Sequence, residues 1–232
     1  MKTLTTPVFC AIDTASLEHA CALAEALVPL GLGLKVGMEF VNAFGPQGIE
    51  KLCEASPDAP LFIDLKFHDI PNTVAAAVRT LSSYFKPAYI NVHASGGRAM
   101  MEAAKTACAA PTRLLGVTVL TSMDDAALRD VGQHDVASQV ERLALLAGDC
   151  GLDGVVCSAH EIKTLRTACG KDFVLMVPGI RPAGAAADDQ VRVMTPPQAM
   201  KAGATHLVIG RPITQADDPA QAARDILKTI SN

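Results

Sequence analysis

Short apolar runs rich in Val, Ile and Leu alternate along this chain with longer Ala-rich stretches of helical period. Eight such runs stand out: V-F-C-A-I-D (8–13), L-G-L-K-V-G (32–37), L-F-I-D-L-K (61–66), Y-I-N-V-H-A (89–94), L-L-G-V-T-V-L-T (114–121), G-V-V-C-S-A (154–159), V-L-M-V-P-G (174–179) and H-L-V-I-G-R (206–211). Between them lie segments such as 17–27, 74–81, 136–147 and 220–230, whose charges gather on one face as in amphipathic helices. A short, nearly continuous apolar run reads as a strand covered on both sides, and strands alternating with helices read as parallel βα units. Eight such units predict an α/β chain closed into a (β/α)₈ TIM barrel. The alternative, a doubly wound open sheet, usually shows a Gly-rich first turn, and none follows Asp13.

Composition narrows this further. At 232 residues, 50% of them hydrophobic, the chain can bury a full core, and residues 1–232 are expected to form a single barrel domain. The stretch 181–193, with many small residues and no period, is expected to be a mobile loop after the seventh strand. A formal net charge of -4 with both signs interspersed gives no long-range pull toward nucleic acid or an anionic membrane, so an anionic ligand must be met by a local basic cluster. The seven cysteines are scattered without CxxC or Cys/His zinc spacing and read as reduced, mostly buried residues. The N-terminal segment breaks at Pro7 before a signal-peptide core develops, and no run approaches membrane-spanning length, which predicts a cytoplasmic protein.

In such barrels chemistry sits where strands end and βα loops begin. The polar residues at those ends are Asp13, Lys35, Asp64 with Lys66, His93, Thr121, Ser158, Pro178 with Gly179, and Gly210 with Arg211. The segment D-L-K-F-H-D-I-P-N-T (64–73) is the sharpest signal. Residues two apart on a strand share a face, so Asp64 and Lys66 both turn into the barrel mouth. With Lys35 and Asp69 they form an alternating Lys-Asp-Lys-Asp cluster in which each charge favours its neighbour's ionised form. A structural ion-pair network is the bland alternative, but four charges converging on the catalytic face favour a catalytic set. V-I-G-R-P (208–212) and V-P-G-I-R (177–181) each place a glycine beside an arginine in adjacent loops, which suits a phosphate group. His93 reads as a hydrogen-bonded core residue. His68 should point away from Asp64 and Lys66 if the alternation persists. Ser158 and the cysteines have no base at triad spacing.

These motifs, D-L-K-F-H-D-I-P-N-T (64–73) with A-I-D (11–13), L-K-V-G (34–37), V-P-G-I-R (177–181) and I-G-R-P (209–212), resemble the bacterial orotidine 5′-phosphate decarboxylases over nearly the whole chain. The ten-residue segment is specific to them, whereas I-G-R-P recurs in many phosphate-binding barrels. The resemblance implies a lyase of UMP biosynthesis that removes CO₂ from orotidine 5′-monophosphate without a metal or other cofactor. By it Lys66 is the proton donor to C6, Asp64 lies against the departing carboxylate, Lys35 holds the charge network and the ribose hydroxyls, and Asp13 also binds ribose. Asp69, Ile70 and Thr73 would reach into the site of a partner subunit, making the enzyme a homodimer with shared sites. Thr121, or neighbouring Ser122, would meet the pyrimidine edge, Pro178 would line the substrate, and Arg181, Gln190, Gly210 and Arg211 would hold its phosphate. The runner-up is a sugar-phosphate relative such as 3-keto-gulonate 6-phosphate decarboxylase or hexulose-phosphate synthase, which shares Asp-x-Lys-x-x-Asp but uses Mg²⁺ with an acidic residue where this chain has Lys35. A non-catalytic phosphate sensor would leave gaps in the charge cluster, and none is seen.

Overall fold

The structure is a computed structural model and describes residues 6–182 and 194–231. Eight parallel strands follow one another around a closed barrel, each hydrogen-bonded to its neighbours in sequence and the last to the first. They are β1 (Val8–Ile12), β2 (Gly33–Gly37), β3 (Leu61–Phe67), β4 (Tyr89–His93), β5 (Arg113–Val117), β6 (Gly154–Val156), β7 (Val174–Val177) and β8 (His206–Ile209). The helices are α1 (Leu17–Leu27), α2 (Met38–Ala55), α3 (Pro71–Tyr84), α4 (Gly97–Ala107), α5 (Asp125–Asp130), α6 (Val136–Asp149), α7 (Ile162–Cys169), α8 (Pro196–Ala202), α9 (Arg211–Thr214) and α10 (Pro219–Ser231). None of the described helices is long and apolar enough to cross a membrane.

Local chemistry accounts for the helix starts. The Ser16 hydroxyl accepts from His19 N at 3.2 Å, Asp135 accepts from Ser138 N at 2.9 Å, and Pro71 opens α3 where its missing N–H costs nothing. The buried positions of α1 (Ala20, Leu23, Ala24 and Leu27) recur every three or four residues and face the barrel. Six strands end earlier than their apolar runs: β1 and β4 by one residue, and, by two or more, β5 at Val117, β6 at Val156, β7 at Val177 and β8 at Ile209. The polar residues beyond those points peel off into loops. Thr118 Oγ1, for example, donates to Val156 O at 3.1 Å, and Thr121 lies in a turn past the strand rather than at its end.

Two apolar layers result. The larger lies between strands and helices, with Ile12, Val36, Ile63, Val92 and Leu207 facing outward. The smaller fills the barrel with Phe9, Ala11, Phe62, Tyr89, Leu115, Val174, Met176 and Val208. Phe9, Phe62 and Tyr89 meet edge to face at 5.8–6.3 Å between ring centroids. Gly33 stands beside Phe9 because a Cβ there would overlap the ring. Along each strand this alternation carries the inward face up from the apolar plug to the polar mouth.

Candidate active site

A cavity of 270 Å³ opens at the C-terminal ends of the strands. Asp13, Lys35, Asp64 and Lys66 form one wall, Val117, Val119, Leu120, Val156 and Ile180 another, and Arg181, Gly210 and Arg211 lie at the β7–β8 side. Asp64 is the hinge of the charged wall. Its Oδ1 accepts from Lys66 Nζ at 2.8 Å and its Oδ2 lies 3.6 Å from Lys35 Nζ. Lys35, only 8% exposed, also donates to Asp13 Oδ1 at 3.1 Å. Burial works to raise the Asp64 pKa, but the two ammonium groups and the hydrogen bonds from Lys66 and Asn91 outweigh it and hold the carboxyl below its ordinary range. Asp64 is therefore ionised at neutral pH.

Strand β3 does not reach this arrangement by plain alternation. Ile63 pairs with Ile90 but Phe67 pairs with Val92, so four steps along β3 face two along β4. Lys66 sits in this irregularity at φ 51, one of two described non-glycine residues with positive φ. Its backbone N–H is taken by Asn91 Oδ1 at 2.8 Å, while Asn91 Nδ2 donates to Asp64 Oδ1 at 2.7 Å. The alternation on which the expectation for His68 rested thus ends at Lys66. The His68 ring instead lies against His93, with centroids 5.4 Å apart. His93 ends β4 half-buried, its pKa pushed down by burial first and then by His68 and Lys66.

Of the residues singled out from sequence, Asp13, Lys35, Asp64, Lys66, Thr121, Pro178, Arg181, Gly210 and Arg211 all line the cavity, and Thr121 does so where Ser122 does not. Asp69, Ile70 and Thr73 do not line it; Asp69 and Ile70 are exposed on the β3–α3 connection, Ile70 at 67%, and Thr73 is exposed in the first turn of α3. Asp69 Oδ1 accepts from Ile70 N at 2.6 Å. Gln190 and residues 183–193 of the expected loop lie outside the described residues. On either side of that stretch Ile180 pairs with Met194, and Arg181 N donates to Met194 O at 3.1 Å. Cys157 also lines the cavity, but burial drives its pKa well up and keeps it a thiol; of the seven free cysteines three are buried and four half-buried.

Sequence reasoning missed two residues that shape the cluster. Asn91 occupies an inward position of β4 between Tyr89 and His93, and a polar residue on that face of an otherwise apolar strand was the available signal. Gly37 leaves the space into which Lys35 and Asp13 converge, since a Cβ there would stand 3.1 Å from Lys35 Nζ and 3.4 Å from Asp13 Oδ1.

The sequence profile of the orotidine 5′-phosphate decarboxylase / HUMPS family matches residues 6–226. The chain belongs to this family. Among curated members of the decarboxylase family it is 53% identical to the orotidine 5′-phosphate decarboxylase of Rhodospirillum rubrum, covering 97% of this chain and 94% of that one. It is 49% identical to the enzyme of the same name from Pectobacterium carotovorum, over 100% and 94%. Among solved structures, orotidine 5′-phosphate decarboxylase from Lactobacillus acidophilus superposes with a TM-score of 0.85 at 37% identity, over 98% of this chain and all of that one. The enzyme from Pyrococcus horikoshii shares the fold at a TM-score of 0.79 and 24% identity.

Proposed function

We propose that this protein decarboxylates orotidine 5′-monophosphate to UMP and CO₂ in pyrimidine biosynthesis, and that its own side chains supply all the charge the reaction needs. The observation that carries this reading is the Lys35–Asp64–Lys66 chain on one wall of the cavity, with Arg181 and Arg211 toward the β7–β8 side. The reaction breaks the bond from C6 to the carboxylate, leaving the electron pair on C6 as CO₂ departs. The Lys66 ammonium stabilises that developing charge and then transfers its proton to C6; solvent returns a proton to Lys66. Asp64, held ionised, lies against the substrate carboxylate and keeps Lys66 aimed.

Lys35 and Asp13 take the ribose hydroxyls, and Thr121 and Pro178 meet the pyrimidine. Gly210, Arg211, Arg181 and Gln190 hold the phosphate, whose binding energy keeps the ring in place. Exposed Asp69, Ile70 and Thr73 suit the expected contact with a partner's site in a homodimer working in the cytoplasm. The Mg²⁺-dependent sugar-phosphate chemistry fits poorly: an ammonium, not a carboxylate, stands between Asp13 and Asp64, where it repels a second cation.

The test is loss of orotidine 5′-monophosphate absorbance in EDTA, comparing wild type with Lys66→Ala. Turnover that survives chelation and falls by roughly 10³-fold or more in the variant is expected. Turnover only with added Mg²⁺, or none at all, would overturn the reading.

A further inference from the structure

One buried amide touches both halves of the charged wall, and nothing else in the decarboxylation scheme uses it. Asn91 is fully buried, and at both ends of its side chain it meets a group the reaction depends on. Its Oδ1 accepts the Lys66 backbone N–H at 2.8 Å, and its Nδ2 donates to Asp64 Oδ1 at 2.7 Å. Both contacts bear on the place where β3 departs from regular pairing with β4, between Ile63 and Phe67, and where Lys66 adopts φ 51. A side chain of L-configuration resists that backbone conformation, so something in the surroundings must hold it. There the displaced Lys66 N–H finds its partner on a side chain, and a buried N–H left without one costs more than an ordinary hydrogen bond returns.

We propose that Asn91 is a positioning residue for the decarboxylation: it pins the Lys66 backbone in its strained conformation and fixes the rotamer of Asp64, so that the Lys66 ammonium is aimed into the cavity. Asp64 Oδ1 accepts two donors, Lys66 Nζ and Asn91 Nδ2, which leaves Oδ2 turned toward Lys35. Without the amide, Asp64 is free to rotate and share both oxygens with Lys66 and Lys35, and Lys66 is free to relax out of φ 51. Either movement shifts the proton donor relative to C6, and a displacement of an ångström at a reacting atom costs far more in rate than in binding. Asn91 itself bonds only to Lys66 and Asp64 and to none of the groups assigned to phosphate and ribose, so ground-state binding of the nucleotide should change far less than the rate.

This inference rests on the decarboxylase reading, and its test separates the two. Asn91→Asp preserves the shape and the acceptor for the Lys66 N–H but replaces the donor to Asp64 by an oxygen. Asn91→Ser shortens the side chain so that it reaches neither partner. For each variant that folds by far-UV circular dichroism, kcat and KM for orotidine 5′-monophosphate and the Kd for UMP are measured. Expected is a fall in kcat of roughly 10- to 100-fold, with KM and the UMP Kd within about threefold of wild type. Full kcat in either folded variant overturns the assignment, as does an equal loss of kcat and UMP affinity. Failure of both variants to fold overturns it in favour of a purely structural residue. A wild type that does not turn over orotidine 5′-monophosphate overturns the decarboxylase reading itself, and the assignment with it.

Discussion

A single added carbon at Gly37 would stand 3.1 Å from Lys35 Nζ and 3.4 Å from Asp13 Oδ1. The backbone there, φ -110 and ψ -168, is ordinary extended conformation, so Gly37→Ala introduces no backbone strain and removes freedom from the unfolded chain. The crowded atom on the lysine side is the tip of a flexible side chain, which can yield at little cost to folding. Stability should therefore stay within about 1 kcal/mol of wild type, a shift of no more than about 4 °C in Tm. Activity should not survive as well, because Lys35 Nζ bridges Asp13 and Asp64 and its displacement loosens the charged wall. We expect kcat/KM to drop roughly 10- to 100-fold, read from steady-state kinetics beside thermal melts. Full activity would show that the site tolerates a displaced Lys35. Sequence reasoning could not see this: Asp64 and Lys66 do share the cavity wall, but through a bulge at Lys66 rather than plain alternation, and that bulge and the space at Gly37 depend on neighbours distant in the chain. Asn91 is 25 residues from Lys66, and no local pattern links them.

Elements were more legible than their ends. The first helix spans 17–27 as its period predicts because Ser16 caps it and the buried face repeats cleanly. The third runs from Pro71 to Tyr84, longer than its apolar core at 74–81, because its first turn and the Ser82-Ser83 pair near its end are polar. Short α5 and α9 have too few turns to show a period. Arg166 shows what joins elements without any sequence signal. From α7 its guanidinium donates to the carbonyls of Gly170, Phe173 and Gly203 at 2.6–2.7 Å, and reaches Thr205 Oγ1 at 3.2 Å. It thereby ties the end of α7 to the entries of β7 and β8, the strands that carry Pro178, Arg181, Gly210 and Arg211 at their far ends. Arg166→Met keeps the aliphatic stem but strips partners from several carbonyls, so we expect a loss of about 2–4 kcal/mol, roughly 5–15 °C in Tm. At 25 °C the folded variant should keep kcat within about twofold, since Arg166 does not line the cavity. A melt unchanged from wild type would show that solvent replaces all these bonds.

At the scale of the whole barrel, closure was legible because eight local βα units leave few other ways to cover eight apolar strands. What fills the barrel's lower end was not, since the partners meet only on closure. There His206 Nδ1 lies 2.7 Å from Thr6 O and Nε2 lies 2.9 Å from Tyr89 Oη, with Phe9 packed across the ring. A carbonyl can only accept, so Nδ1 carries the proton and Nε2 accepts from the tyrosine hydroxyl. Protonating Nε2 would reverse that bond in a buried site near Arg113. Burial first, and Arg113 next among the opposing influences, push the His206 pKa down to about 4 against the bond to Thr6 that raises it. A base whose folded pKa is depressed is protonated preferentially in the unfolded chain, so stability is full above about pH 6.5 and falls as pH drops toward 4. The shift corresponds to about 3 kcal/mol once both steps are passed. Below that window Asp64 adds its own loss, because its depressed pKa favours the folded state only while it stays ionised. Urea unfolding at about pH 7 and about pH 4.5 should therefore show wild type losing about 2–3 kcal/mol more across the interval than His206→Phe. The variant will start less stable at neutral pH, having left Tyr89 Oη and Thr6 O without the histidine. The comparison reads only the pH-dependent difference, and equal losses in both proteins would show that His206 is not what acid attacks first.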